Sequence, residues 1–236
     1  MPFFWKIISW FFYFYFMQIT AIILAGGKSL RMGTDKALLG IGGQPLLQRA
    51  IDFCRPWCQT ILVSSNEPEH RKFGCVSIPD EIQNCGPLGG IYSGLQKSET
   101  DWNFVLSIDT PFVEPAFFTF LVSATLNCDA IIPRHNKGVE PLIALYHKRC
   151  SPEILKQLKS GHFKTRDFLK TVNTCFVDSQ NWVDQHPRIF FNLNRPEDFS
   201  SIGRERKWIL VFPFDFFSII SLCIYSFFKI TWKYCR

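Results

Sequence analysis

The sequence predicts an α/β fold: a Rossmann-like, mainly parallel sheet with helices on both faces, in a single domain flanked by apolar N- and C-terminal extensions. Three observations carry this reading. Short apolar, β-branched runs alternate with helical stretches between residues 17 and 203, the order that builds parallel strands joined by crossover helices. No internal repeat or low-complexity linker interrupts that region. The first apolar run leads directly into a glycine-rich, basic stretch, placed where α/β sheets hold anions, between first strand and first helix.

The elements follow in order. Residues 19–25 are apolar apart from Thr20, as in a strand buried on both faces. Residues 45–54 read as a helix with Pro45 early, where its missing N–H does no harm. TILVS at 60–64 is β-branched and strand-like. Residues 68–73 read as a short helix, 75–78 as a short strand, 88–96 as a helix and 103–108 (NFVLSI) as a strand. A helix is expected over 114–124 and strands over 130–132 and 142–146. Residues 151–159 read as a helix capped by Ser151, with Pro152 and Glu153 behind it. Another helix starts over 165–170, 175–177 is strand-like, and 195–199 opens a last helix.

The two ends differ from the rest. The chain has 236 residues and a formal net charge of +6. Most of that charge comes from Lys6 and from the cations after residue 203, so the central region is nearly neutral and its charge gives no argument for a nucleic-acid partner. More than half of the aromatic residues also fall at the ends, in 3–16 and 208–234. Residues 1–16 are apolar but short of the roughly 20 residues a spanning helix needs, and they lack the small-residue cleavage site of a signal peptide. Met17 is expected to be the natural start of the domain, with 1–16 an over-extended start; a membrane-surface anchor is the alternative. Residues 204–236 form a basic and apolar tail. Its stretch 208–229 has about the length needed to span a bilayer, with Pro213 and Asp215 inside it. A spanning tail, a segment lying on a membrane and a frame-related extension all remain open, as does membrane contact through this tail. Nine cysteines are scattered, and the closest pair, Cys54 and Cys58, lacks a second pair to complete a zinc site. Free thiols in an α/β enzyme suit a reducing, cytoplasmic compartment.

The stretch after the first strand reads LAGGKSLRMGTDK, residues 24–36. Gly26 and Gly27 allow a sharp turn and a close backbone approach to a ligand, because they carry no Cβ. Free amides in such a loop can face phosphate oxygens, and Lys28, Arg31 and Lys36 add three cations. The loop suits a nucleoside triphosphate. It is not a Walker A loop, which needs a glycine where Ile22 stands, and it breaks the spacing of the GxGxxG dinucleotide fingerprint. Lys28 is read as a solvated side chain. In a sheet of this type the loops after the strands converge on one edge, so Ser64, Ser65 and Asn66, then Asp80, then Asp109 are expected beside the glycine loop. Two carboxylates and several cations in one cleft suit a metal–triphosphate complex. Asp109 is the best metal ligand, because it ends an apolar strand and Thr110-Pro111 turns the chain away from it. Asn192 and Asn194 alternate in a strand-like run, which would put both amides on one face. No Ser-His-Asp set stands out, and His135, His147 and His162 read as unpaired surface residues.

The pattern LAGGxSxRMGxDK resembles the signature of the molybdenum cofactor guanylyltransferases, within the wider nucleotidyltransferase family. Further matches follow in the same order: Gly42-Gly43-Gln44-Pro45-Leu46, Asp80 leading to Gly86-Pro87-Leu88-Gly89-Gly90, Ser107-Ile108-Asp109-Thr110-Pro111, Glu140-Pro141-Leu142, and Asn192-Leu193-Asn194-Arg195-Pro196-Glu197-Asp198. They define 17–203 as the nucleotidyltransferase domain. Arg195 stands where the family has a small residue, and the family's domain needs no tail like 204–236.

The resemblance implies an enzyme that transfers GMP from GTP to the terminal phosphate of molybdopterin, releasing pyrophosphate. It implies Mg²⁺ as cofactor, bound by Asp109, which also contacts the nucleotide. Lys36 and Arg31 match phosphate-contacting residues and, with Asp109, form the implied catalytic set. Leu24, Ala25, Gly26 and Gly27 lie against the nucleotide, with Asp80 as a second acid, and Ser64 and Asn66 both qualify for the position near the base. Asn192 and Asn194 fall on the pterin side. The implied partners are GTP and molybdopterin or the molybdenum cofactor, with weak contact to molybdoenzymes or cofactor-delivery proteins and no nucleic acid. Two other readings stay open: a cytidylyl- or sugar-phosphate nucleotidyltransferase of the same fold, and a membrane-tethered nucleotide-binding protein. The paired glycines and the Asp35-Lys36 ending favour the guanylyl branch over the cytidylyl one, which tends to carry Ala-Ala-Gly.

Overall fold

The computed structural model describes residues 18–26, 35–124, 127–195 and 197–199. Both expected apolar extensions, 1–16 and 204–236, lie outside the described residues. So do Gly27, Lys28, Arg31 and Pro196.

The first strand, β1 (Ile19–Leu24), is buried along its whole length. It leads past the glycine loop to a 3₁₀ turn, Lys36–Leu38, capped by Asp35, whose side chain accepts the Ala37 N–H. A small hairpin follows, β2 (Gly40–Ile41) against β3 (Gln44–Pro45). Gly42 and Gly43 form its turn with φ of 61° and 84°, left-handed values that favour glycine. The Gly42-Gly43-Gln44-Pro45 motif is therefore a hairpin, and Pro45 is the N-cap of α1 (Leu46–Cys54), not part of its first turn.

The remaining described residues build one sheet with its covering helices. The chain runs through β4 (Thr60–Ser64), the 3₁₀ helix Pro68–Phe73, β5 (Val76–Ile78), α2 (Gly86–Lys97) and β6 (Trp102–Ser107). Next come α3 (Pro115–Ser123), β7 (Ala130–His135), β8 (Gly138–Val139), β9 (Ile143–His147) and α4 (Ser151–Lys159). The last elements among the described residues are α5 (Thr165–Phe168), β10 (Thr174–Asp178) and α6 (Gln180–Gln185), with residues 197–199 again helical. Ser151 is not the cap expected for α4. The helix grows from the 3₁₀ turn Lys148–Cys150, and the side chain of His147 accepts the Arg149 N–H at the head of that turn.

The sheet order is β10-β7-β9-β6-β1-β4-β5, with β8 on β7. Strands β6, β1, β4 and β5 are parallel, as are β7 and β10. Strand β9 runs antiparallel to both β6 and β7. The sheet is thus mixed around a parallel centre. The cause is local: the chain returns from β7 to β9 through β8 without a crossover helix, and a short return gives an antiparallel pair.

Alternate residues of β1 serve the two faces. Ile19, Ala21 and Ile23 pack with Leu47 and Ile51 of α1 and with Phe117 and Phe118 of α3. Ile22 and Leu24 pack with Leu88, Ile91 and Leu95 of α2, and the same layer holds Ile154 of α4 and Phe168 of α5. Helices therefore cover both faces of the sheet. No helix among the described residues is long and apolar enough to cross a membrane.

Candidate nucleotide-transfer site

Strand register creates the site. Leu24 at the end of β1 stands opposite Ser64 of β4 on one side and Ser107 of β6 on the other. The chain segments leaving these three strands therefore start level on one sheet edge. The Ala25 N–H donates to the Ser64 carbonyl (3.1 Å), and the Ile108 N–H to the Leu24 carbonyl (3.3 Å), which carries the alignment one residue past the strands. A Cβ on Gly26 would have the Ser64 carbonyl oxygen as its nearest neighbour, at 3.6 Å, so Gly26 runs beside the β4 end.

On the β6 side, Thr110 turns the chain by donating from both its N–H and its hydroxyl to the Ser107 carbonyl. This leaves Asp109 at the edge. Its Oδ2 lies 3.5 Å from Lys36 Nζ, and Lys36 also donates to Asn194 Oδ1 at 3.3 Å. The Asp109 carbonyl accepts the Leu193 N–H (2.8 Å), which fixes the Asn194 segment to the same strand end. Asp198 then holds that segment from below: its Oδ2 accepts the N–H groups of Asn194 and Arg195, both at 2.8 Å. Those two backbone bonds hold the Asp198 carboxyl below the usual range.

The other oxygen of Asp109, Oδ1, is buried and has no hydrogen-bond partner among the described residues. A buried carboxylate oxygen left unpaired is costly. Paired with a neighbouring cationic amine, this carboxylate suits a divalent cation that takes its remaining ligands from phosphate and water. Among the described residues no group of three or more His, Cys, Asp or Glu could hold a metal. The donor set therefore fits a cation shared with a phosphate ligand and not a closed protein cage.

On the β4 side, Asp80 is clamped. Ser64 Oγ donates to its Oδ1 (3.2 Å), and its own N–H donates to Asn66 Oδ1 (3.1 Å). Ser64 and Asn66 thus meet on Asp80. Partial burial pushes the Asp80 carboxyl up, against the downward pull of those two partners.

Several expected features are corrected. Asn192 and Asn194 do not lie on a strand. Residues 191–194 are irregular, though the period of two survives, since Leu193 is fully buried between two exposed asparagines. Asn194 reaches Lys36, whereas Asn192 turns back to the Phe190 carbonyl (3.5 Å). Helix α2 starts earlier than the expected residue 88, and Gly86–Gly90 is its first part. Its glycines serve packing: a Cβ on Gly90 would sit 2.6 Å from Ser64 Oγ. His135 and His147 are not unpaired. His135 Nε2 lies 2.9 Å from Glu140 Oε1 with its ring stacked on Phe190, and His147 packs edge-on against Trp102. His162 is exposed, as expected.

One residue escaped the sequence reading. His70 is fully buried, and its Nε2 lies 2.7 Å from Asp35 Oδ2. The signal available in the sequence was on the partner: Asp35 directly precedes a short helix, as an N-cap acid does.

Comparison with known proteins shows the family and the fold. The family model described as "MobA-like NTP transferase domain" matches residues 21–175. A probable molybdenum cofactor guanylyltransferase from Natranaerobius thermophilus is 33% identical over 201 residues, covering 81% of this chain and 97% of that protein. The molybdenum cofactor guanylyltransferase of Vibrio cholerae is 33% identical over 187 residues, covering 77% and 90%. The crystal structure of molybdopterin-guanine dinucleotide biosynthesis protein A from Archaeoglobus fulgidus superposes with a TM-score of 0.68 at 24% identity, covering 79% of this chain and 97% of that one, a likeness of fold. With a matched domain over most of its described residues and relatives above 30% identity over more than three-quarters of its length, the chain belongs to the MobA-like NTP transferase family.

Proposed function

We propose that this protein transfers GMP from GTP to the terminal phosphate of molybdopterin, giving molybdopterin guanine dinucleotide and pyrophosphate. The observation that carries the reading is the convergence of Asp109, Lys36 and Asn194 at the edge where Leu24, Ala25 and Gly26 leave β1. The names of the relatives supply the guanylyl donor and the molybdenum-cofactor acceptor.

In this reading the triphosphate lies along the β1 edge, with Leu24, Ala25, Gly26 and Gly27 against the nucleotide and Asn66 and Asp80 on its guanosine side. Lys36 draws charge from the phosphates, and Arg31 adds a second cation. An oxygen of the molybdopterin phosphate attacks the α-phosphorus of GTP in line. The new P–O bond forms as the bond from the α-phosphorus to the bridging oxygen breaks, and pyrophosphate departs with that electron pair. Mg²⁺ bound through Asp109 would neutralise the triphosphate. Asn194 and Asn192 flank the acceptor side, where Asn194 also holds the Lys36 ammonium. Since the phosphate is itself the nucleophile, positioning and charge stabilisation supply the rate, and no covalent enzyme intermediate is needed. We place the reaction in the cytoplasm, a reading supported by the free thiols of Cys54, Cys58, Cys75, Cys85, Cys150 and Cys175.

The test is pyrophosphate release by the full chain with Mg²⁺, molybdopterin and each of GTP, CTP, ATP and UTP in turn. Release with GTP alone is expected. A preference for CTP would move the protein to the cytidylyl branch, and no release with any nucleotide would sink the transferase assignment.

A further inference from the structure

The segment leaving β4 reaches both halves of the site. Ser64, the last residue of β4, and Asn66, just beyond it, hold Asp80. Four residues beyond Asn66, His70 enters the interior, and its Nε2 meets Asp35 Oδ2. The other oxygen of Asp35 accepts the Ala37 N–H at 2.9 Å. With one oxygen on the turn and the other on His70, the carboxylate accepts on both sides and the imidazole donates.

The lysine that reaches Asp109 and Asn194 is the residue between Asp35 and Ala37. Its ammonium sits on a flexible four-carbon stem, so where it lies depends on where the backbone is held. The side chain of Asp35 is 30% exposed and that of His70 not at all. Without the imidazole, the carboxylate could swing to water and release the cap. His70 also keeps Nδ1 buried with no partner among the described residues. A plain space-filler would be apolar there, since a buried ring nitrogen without a partner is destabilising. The one strong interaction shown for the imidazole is the bond to Asp35.

We infer that His70 is a positioning residue for Lys36: through Asp35 it fixes the turn that presents the Lys36 ammonium beside Asp109. This rests on the assignment of Lys36 to the triphosphate. It also gives the β4–β5 segment a second task, because the same stretch of chain sets the acid on the guanosine side and the cation on the phosphate side.

The test compares His70→Gln, whose amide can donate near the position of Nε2, with His70→Phe, a ring of similar size without a donor. Steady-state guanylyl transfer by the full chain is measured with GTP, Mg²⁺ and molybdopterin, alongside the thermal midpoint of each variant. His70→Phe should lose about 10- to 100-fold in kcat with a smaller change in KM for GTP, as displacement of a catalytic group by about 1 Å does. His70→Gln should recover most of that loss. In a Lys36→Ala background His70→Phe should add little, because both variants remove one effect. An equal kcat for the two His70 variants, or a loss that multiplies fully onto Lys36→Ala, overturns the inference. Unchanged turnover in Lys36→Ala alone would instead show that the lysine assignment is wrong. If His70→Phe does not fold, Asp35→Ala replaces it, on the partly exposed side of the pair, with the same expected loss and the same cycle.

Discussion

At the scale of single residues, Asp80 shows how a site can be held at the expense of stability. Burial raises its pKa in the folded protein above the unfolded value. The folded state therefore keeps the proton to higher pH, and stability falls as pH rises from the ordinary carboxylate value of about 4 through the folded one. The penalty grows as the pH rises toward neutral. Asp80→Asn keeps the oxygen that accepts from Ser64 but removes the charge. Without nucleotide, the variant should unfold at a higher temperature than the parent at pH 7, and the gap should close as the pH is lowered toward about 4. Its KM for GTP should rise about 10- to 100-fold, the worth of a hydrogen bond to a charged group. Thermal scans across pH with steady-state kinetics check both halves; a lower midpoint at pH 7 would contradict the burial argument. The positions of Asp80, Asp109 and Lys36 in the fold were legible in the sequence, because each follows an apolar run or a glycine loop. His70 was not. It sits in the polar stretch PEHRKF, and its partner Asp35 is 35 residues away, so nothing local marks it as buried.

At the scale of elements, the site depends on how closely α2 lies on β1. A Cβ on Gly94 would meet three side-chain atoms of Ile22 at 2.5, 2.7 and 2.8 Å. Ile22 is fully buried in the middle of the sheet and β-branched, so it has no room to turn away. Gly94→Ala gains up to about 1 kcal/mol in helix propensity, but overpacking costs about 1–3 kcal/mol, and the clash should win. Its thermal midpoint should fall, by about 2–4 °C per kcal/mol for a domain of this size. Ile22→Ala removes all three clashing atoms, so in that background Gly94→Ala should be neutral or stabilising. Additive losses in the double variant would show that Gly94 is needed for some other reason. Strand and helix positions near the site were readable because β-branched runs such as TILVS alternate with helical stretches. The β2–β3 hairpin and β8 were not, since two-residue strands carry no periodicity. The antiparallel β9 was hidden for another reason: an apolar run records burial, while strand direction is set by the length of the connection before it. The packing role of the α2 glycines was not readable either, because sequence alone does not separate a glycine that meets a ligand from one that meets a neighbouring strand.

At the scale of the whole molecule, the site elements lie between β1, which starts at Ile19, and the helical residues 197–199. The Natranaerobius relative matches over 97% of its own length while using 81% of this chain. About four-fifths of this chain thus matches nearly the whole of that relative. Strand β1 is central, paired on both sides, and its residues anchor the layers on both faces. The Ile19 carbonyl is already bonded to the Gln59 N–H (2.9 Å), so the strand is tied to the α1–β4 connection from its first residue. A chain cut to residues 17–203 should keep every hydrogen bond described for the site and both core layers. It should unfold in one cooperative transition and transfer GMP with a kcat/KM within about threefold of the full chain, a difference of about 0.7 kcal/mol in transition-state stabilisation. Matched kinetics of the two chains, with and without lipid vesicles, check this. A cut chain that fails to fold, or a full chain that works only with vesicles, would make the apolar ends part of the enzyme and restore the membrane-tethered reading.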